Sequence, residues 1–214
     1  MNVNYFLTPR TVRYYSLVNN ELPVSRVLFV LHGYGMSARR FLEQFEHVLA
    51  PGMMIVAPEG LSRFYRKGHS GEVVASWMTS DDRETEIRDY LEYLDALYQL
   101  VTADGQKKSL ILGFSQGAST ASRWFHSPKC HHKGLILWAG TFAPEKLQKI
   151  DSECFVWNVS GNEDEYISLE NHHQQTQRLL NLNYSVREVV FNGRHQIDIG
   201  VLKSIMDEFN SETK

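Results

Sequence analysis

Short, almost continuously apolar segments recur along this chain and constrain its fold more than any other feature of the sequence. Turn residues or polar segments bound them at 27–31, 53–57, 110–112, 135–138, 155–159 and 186–191. A strand covered by helices on both faces is apolar throughout, whereas a half-exposed strand alternates apolar and polar residues. We therefore predict buried strands in a mostly parallel sheet, with Thr11–Leu17 as an earlier strand at one edge.

Segments with helical periodicity lie between the apolar runs. The clearest spans about Asp82–Val101, where Ile87, Leu91, Leu94 and Tyr98 recur at helical spacing. Further helices are predicted at about 38–49, 116–126, 169–181 and 197–209. Strands that alternate with helices predict an α/β fold with helices on both faces of the sheet.

Length sets the domain organisation. The 214 residues suit one domain spanning 1–214, with no room for a separate cap domain. The connection Glu59–Asp81 is unusually long for a compact domain and holds the aromatic residues Phe64, Tyr65 and Trp77. We predict that it is a lid-like loop.

Composition and charge narrow the class of protein. There are 22 basic and 25 acidic residues, the net charge is -3, and no basic run points to a nucleic-acid partner. Two cysteines, Cys130 and Cys154, lack the spacing of a metal site or a disulfide framework, so we expect packed thiols. No stretch is apolar enough to span a membrane and the amino terminus lacks a signal-peptide pattern, so we expect a cytoplasmic protein.

The segment Ser109–Gly117 reads SLILGFSQG, a strand that runs directly into a GxSxG pattern. In a sharp strand-to-helix turn, Gly113 and Gly117 leave room for the neighbouring backbone, and Ser115 is exposed at the carboxyl end of the sheet. We predict that Ser115 is a nucleophile and that the N–H of Gln116 stabilises a developing oxyanion. The alternative is a Gly-Ser turn without chemistry.

A second glycine-rich segment, LHGYG at 31–35, follows the first strong strand. Its glycines would let the backbone approach the nucleophile, and the N–H of Tyr34 is the candidate for a second oxyanion donor. We interpret His32 as a structural histidine that holds this loop by a hydrogen bond, rather than as a catalytic group.

A serine hydroxyl needs a base to take its proton and an acid to hold that base in one tautomer. Both are expected after later strands, in the order serine, acid, histidine. His195 is the only histidine at a late strand-to-helix junction, so we predict that it is the base. The loop 160–167 holds Glu163, Asp164 and Glu165, and its pattern alone leaves the choice of acid open.

Four other histidines form two adjacent pairs, His131 with His132 and His172 with His173. Neighbours in sequence do not face one site on a helix. We therefore predict surface positions for them.

Together these segments resemble the α/β-hydrolase superfamily and, within it, the small phospholipase/carboxylesterase branch that includes the acyl-protein thioesterases. The matching motifs are LHGYG at 31–35, APEG at 57–60, GFSQGA at 113–118, GNED at 161–164 and GRH at 193–195. In that family the acid is the fourth position of a GxxDxxV pattern, so the resemblance selects Asp164. It also implies chemistry that needs no cofactor and no metal.

The resemblance implies a carboxylesterase that acts through an acyl-serine intermediate. Because only the loop at 59–81 can cover Ser115, we expect short to medium acyl esters as substrates rather than emulsified triglycerides. A thioesterase or a lysophospholipase would use the same residues, and a binding module without catalysis is the alternative from another class. The expected substrate is a small-molecule acyl ester or thioester, with Trp77 and Tyr65 walling the acyl groove. Packing of Trp77 into the core is the alternative for that side chain, and both a monomer and a homodimer remain open.

Overall fold

The computed structural model describes residues 1–103, 105–143 and 154–212, without the side chains of 210–212. The strands in these ranges are β1 Tyr14–Val18, β2 Arg26–Leu31, β3 Met53–Pro58, β4 Ser62–Tyr65, β5 Val73–Ser76, β6 Lys108–Phe114, β7 Gly134–Trp138, β8 Phe155–Gly161 and β9 Ser185–Phe191. The α-helices are α1 Ala38–Glu43, α2 Arg83–Thr102, α3 Gln116–Phe125, α4 Leu169–Asn181 and α5 Ile199–Glu212.

Seven of these strands form one sheet in the order β1-β3-β2-β6-β7-β8-β9. Only β1, at the edge, is antiparallel, with Tyr14 opposite Pro58 on β3. The other pairs are parallel, which confirms the predicted mostly parallel sheet. Because the carboxyl ends of parallel strands meet at one edge, the loops after β2, β6, β8 and β9 all emerge on the same side.

Both faces of the central strands are buried, whereas β1 and β9 at the two edges are exposed or partly buried at most positions. In β2, Val27, Phe29 and Leu31 belong to one apolar cluster, while the intervening Leu28 and Val30 belong to another. Side chains of α2, α3 and α4 complete the first cluster, and those of α1 and α5 complete the second. The strands therefore lack polar alternation because helices cover both sides of the sheet, as predicted.

The predicted helix at 38–49 is shorter than expected. The α-helix ends at Glu43, and Glu46–Val48 form a single 3₁₀ turn. At the break, the N–H of Gln44 donates to Phe41 at 3.3 Å and the N–H of Phe45 donates to Leu42 at 2.9 Å. These contacts span three residues instead of four, so they end the α-helical pattern.

The segment Glu59–Asp81, predicted as a lid-like loop, has regular structure within it. It contains the antiparallel hairpin β4–β5. Strand β5 is also tied to the loop after β2, where the N–H of Gly35 donates to Ala75 at 2.9 Å and the N–H of Ala75 donates to Met36 at 3.0 Å. Strands of four residues are too short for a readable period, so the sequence pattern did not reveal them.

Candidate active site

Ser115 lies on a sharp turn between β6 and α3. Its φ of 54° and ψ of -118° are unusual for a residue with a side chain, and such backbone strain concentrates at functional sites. A Cβ on Gly113 would lie 2.2 Å from the carbonyl oxygen of Gly117, and one on Gly117 would lie 2.2 Å from that of Leu31. Glycine is therefore required on both sides of the serine, as expected for a nucleophile elbow.

His195 and Asp164 meet across the loops that follow β9 and β8. Nδ1 of His195 lies 2.8 Å from Oδ2 of Asp164, whose side chain is 0% exposed, while that of His195 is 14% exposed. The other carboxylate oxygen accepts the N–H groups of Tyr166 at 2.8 Å and Ile167 at 2.9 Å. The acid is thus held by its own loop and presents one free oxygen to the imidazole.

The other two acids of this loop do not contact the imidazole nitrogen. Glu163 donates its N–H to the carbonyl oxygen of Gly193 at 2.9 Å, which joins the acid loop to the histidine loop. Glu165 lies on the surface, where its carboxylate accepts the N–H of His195 at 3.4 Å and lies 3.8 Å from Arg194. Of the three acids, Asp164 is therefore the one in position to orient the ring of His195.

Aromatic rings fix the imidazole of His195 beside the elbow. The Phe114 ring, one residue before Ser115, has its centroid 4.8 Å from that of the imidazole. The Tyr166 ring packs edge-on at 4.7 Å. These two contacts place the imidazole between the acid-bearing loop and the residue that precedes Ser115.

The loop after β2 packs directly against Ser115. A Cβ on Gly33 would lie 3.2 Å from Cβ of Ser115. Among the residues that the structure describes, the backbone N–H groups of Tyr34 and Gln116 have no hydrogen-bond acceptor. The N–H of Gln116 also lies at the positive end of α3. Both predicted donors therefore remain available to an oxyanion near Ser115.

His32 has a different environment from His195. It is fully buried, its Nε2 accepts the N–H of Gly60 at 3.0 Å, and its Nδ1 lies 2.7 Å from the carbonyl oxygen of Gly33. Since Nε2 accepts, the proton resides on Nδ1 and is donated to Gly33. Burial lowers the pKa of His32 to about 4, so the ring is neutral at pH 7. These contacts agree with the interpretation of His32 as a structural histidine.

Trp77 lies in the core and not along an open groove, in contrast to the expected acyl-groove position. Its side chain is 1% exposed, its ring stacks on that of His32 at 5.0 Å, and its Nε1 donates to the carbonyl oxygen of His32 at 2.8 Å. Tyr65, at the end of β4, is 48% exposed and remains accessible. Trp77 thus packs in the core, whereas Tyr65 lies on the surface.

The side chain of Gln116 has a role that the sequence analysis missed. Its Oε1 accepts the N–H of Trp77 at 3.1 Å, and its Nε2 donates to the carbonyl oxygen of Met78 at 2.9 Å. Gln116 thereby ties the end of the hairpin to the nucleophile elbow. A long amide at the first position of a buried elbow helix is a signal that could have indicated such a tie.

Two histidines predicted at the surface are buried, which corrects that prediction. His132 packs among Phe29, Tyr98 and Trp124, and its Nδ1 lies 2.9 Å from Oγ of Ser109. Burial lowers the pKa of His132 to about 3. His172 is likewise buried, and burial lowers its pKa. The sequence pattern does not show whether the fold covers the side of the loop that carries His132 or the side of α4 that carries His172.

The sequence profile of the phospholipase/carboxylesterase family matches residues 13–211. The chain belongs to this family. The match includes the nucleophile elbow, the acid loop and the histidine loop, and family membership supports a hydrolase. No curated protein sequence matches the chain.

Solved structures show the same fold as this family member. Esterase PE8 is 22% identical, with a TM-score of 0.69 over 94% of this chain and 99% of that one. The carboxylesterase of Bacillus cereus is 18% identical, with a TM-score of 0.66 over 94% of each chain. Acyl-protein thioesterase 2 of Zea mays is 16% identical, with a TM-score of 0.70 over 94% of this chain and 99% of that one.

The described ranges of this family member contain no group of three histidine, cysteine or carboxylate side chains that could hold a metal ion. In the same ranges, no helix is both long and apolar enough to cross a membrane. Cys130 is buried and Cys154 is half-buried.

Proposed function

We propose that this chain is a serine carboxylesterase that works through an acyl-Ser115 intermediate. The observation that supports the proposal most directly is the 2.8 Å contact between Nδ1 of His195 and the buried carboxylate of Asp164, beside the elbow that carries Ser115. Because Nδ1–H donates to Asp164, Nε2 is the nitrogen free to accept a proton. The proposal requires no cofactor and no metal.

The proposed reaction has two steps. Oγ of Ser115 attacks the ester carbonyl while Nε2 of His195 takes its proton, and the N–H groups of Tyr34 and Gln116 stabilise the oxyanion. The C–O bond to the alcohol then breaks, and the alcohol leaves with the proton from His195. Water enters, loses a proton to His195 and attacks the acyl group, and Ser115 regains its proton as the acid is released.

For the substrate we propose short to medium acyl esters. The hairpin β4–β5 is fixed to the oxyanion loop and to Gln116, so the described cover over this side of the site is a tethered hairpin. The Phe64 ring of the hairpin lies 5.6 Å from the ring of Tyr34, and the exposed Tyr65 is next to it in the chain. We propose Tyr65 as the side chain that contacts the acyl group. Thioesters fit the same residues and differ in the leaving group.

Labelling with a fluorophosphonate probe tests the proposal. Wild-type protein should be labelled and the Ser115→Ala variant should not, because the probe bonds covalently to an activated serine. A panel of p-nitrophenyl esters and matched thioesters of graded acyl length should then show the highest kcat/KM below long-chain length. Failure of folded wild-type protein to react with the probe would refute the proposed serine hydrolase.

A further inference from the structure

A cavity of about 410 Å³ lies beside the proposed nucleophile, between the end of β7 and the helix α4. Its wall includes Gly140, where a Cβ would lie 2.4 Å from the carbonyl oxygen of Ser115. It also includes Ile167, whose N–H donates to Asp164 at 2.9 Å. Two lining residues of the cavity therefore neighbour proposed catalytic residues, one through the backbone of Ser115 and one through the carboxylate of Asp164. The volume of the cavity is in the range of sites for small molecules.

The described lining of this cavity is partly polar and partly apolar, and it carries one formal positive charge. Arg178, on α4, is the only arginine or lysine among the described lining residues, and none of those described residues is an aspartate or glutamate. None of the ion pairs among the described residues involves the guanidinium of Arg178. The other polar side chains of the described lining are those of Thr141, Asn171, His172, Gln174 and Gln175.

The wall nearest to the nucleophile is held in place by hydrogen bonds. Oε1 of Gln175 accepts the N–H of Phe142 at 2.7 Å, and its Nε2 donates to the carbonyl oxygen of Gly140 at 3.1 Å. Oγ of Ser119, one turn after Ser115, donates to the carbonyl oxygen of Thr141 at 2.9 Å. This part of the cavity is thus preformed against the elbow and needs no rearrangement to receive a ligand.

We propose that this cavity binds an anionic group carried by the ester substrate and that Arg178 is the residue that recognises it. The inference rests on the proposed function. A guanidinium can donate two parallel N–H bonds to a carboxylate, and such charge-assisted pairs are the strong class of hydrogen bond. The anion takes no part in the reaction, in which only the ester C–O bond breaks and water supplies the new C–O bond.

Two substrate series test this proposal and separate the two places where the anion can reside. Monomethyl esters of dicarboxylic acids of graded length carry it on the acyl side and are compared with methyl esters of monocarboxylic acids. O-acetyl hydroxy acids carry it on the alcohol side and are compared with ethyl acetate. Wild-type protein should show a higher kcat/KM for the charged member in at least one series.

The variants are Arg178→Gln, Arg178→Lys and Lys203→Gln. Lys203 is an exposed residue of α5 and serves as the control for loss of one positive charge. Arg178→Gln should lower kcat/KM for the charged ester by about tenfold or more and leave that for the neutral ester within about twofold. Arg178→Lys should restore part of the loss, and Lys203→Gln should change neither.

The outcomes distinguish this inference from the proposed function. If wild-type protein hydrolyses neutral esters but Arg178→Gln affects charged and neutral esters alike, the anion site is refuted and the esterase proposal stands. If wild-type protein neither labels with fluorophosphonate nor hydrolyses any ester, the esterase proposal fails. Calorimetric titration with monomethyl glutarate then tests the anion site. The site is supported if wild-type protein and Lys203→Gln bind this compound and Arg178→Gln does not. It is refuted if all three proteins bind equally or if none of them binds.

Discussion

Two histidines follow strands at the same edge of the sheet, and their surroundings give them opposite properties. His32, after β2, is fully buried and bonded on both nitrogens to backbone groups, and burial lowers its pKa to about 4. His195, after β9, is partly exposed and has a carboxylate on Nδ1. An imidazole whose two nitrogens both form hydrogen bonds with the backbone can only support structure. An imidazole with one nitrogen hydrogen-bonded to a carboxylate keeps the other nitrogen for proton transfer.

The same substitution at both histidines should separate these roles. His195→Gln should lower kcat/KM for an ester by about 10⁴ to 10⁶, and Ser115→Ala by a similar factor, because members of a triad act as a unit. His32→Gln retains a donor and an acceptor for the two backbone groups, so the loss should be about tenfold at most. Steady-state kinetics on folded protein measure all three. A loss at His32 equal to that at His195 would contradict the division of roles.

The partner of His195 should matter almost as much as the ring itself. Asp164→Asn should lower kcat by about 10⁴, because the amide oxygen is needed to accept the N–H groups of Tyr166 and Ile167. The amide NH2 then faces Nδ1 of His195, donates to it and holds the unreactive tautomer. Glu163→Gln and Glu165→Gln are the matched controls, since both acids lie in the same loop without contacting the imidazole nitrogen. We expect each to cost less than about tenfold. A large loss in either control with a mild Asp164→Asn would show that the acid is wrongly assigned.

Sequence patterns predicted the residues whose proposed role depends on local geometry. The elbow around Ser115 could be predicted because a strand, two glycines and a helix are adjacent in the chain, and His195 could be predicted from its place after a late strand. Asp164 could not be chosen from pattern, since three acids occupy one loop, and the family resemblance selected it. Burial of Trp77 and His132 depends on packing between distant segments, which no local period encodes.

The hairpin aromatic residues provide the next test, now on stability. Trp77→Ala should lower the free energy of unfolding by about 3 to 5 kcal/mol, as expected for removal of a fully buried aromatic side chain. The control is Tyr65→Ala on the same hairpin, which should change stability little because that side chain is about half exposed. Urea unfolding measures both. Tyr65→Ala should instead change the dependence of kcat/KM on acyl length.

The outcome that would contradict this division is a Trp77→Ala protein of unchanged stability with altered acyl preference. Such a result would indicate that Trp77 contacts the acyl group of the substrate and that the hairpin opens in solution. An unaltered acyl profile for Tyr65→Ala would remove Tyr65 from the proposed acyl site.

The smallest effect we predict is the acid sensitivity that His32 adds to the fold. Burial lowers its pKa from 6.5 to about 4, so between these values the unfolded chain binds a proton that the folded chain does not. Its contribution to stability is therefore complete above about pH 6.5 and declines as the pH falls towards 4, by about 2 kcal/mol at pH 5. His32→Gln should remove this part of the pH dependence, in urea unfolding measured at pH 7 and pH 5.

His132 is also buried with a lowered pKa, so the wild-type protein should lose more stability in acid than His32 alone explains. The experiment therefore compares, for each variant, the difference between the free energies of unfolding at pH 7 and at pH 5. His47→Gln, at an exposed histidine, is the control and should keep the wild-type difference. If the His32→Gln variant also keeps the wild-type difference in stability between pH 7 and pH 5, then His32 is protonated in the folded protein at pH 5. Its two backbone hydrogen bonds would then not hold the ring neutral, which would contradict the contrast drawn with His195.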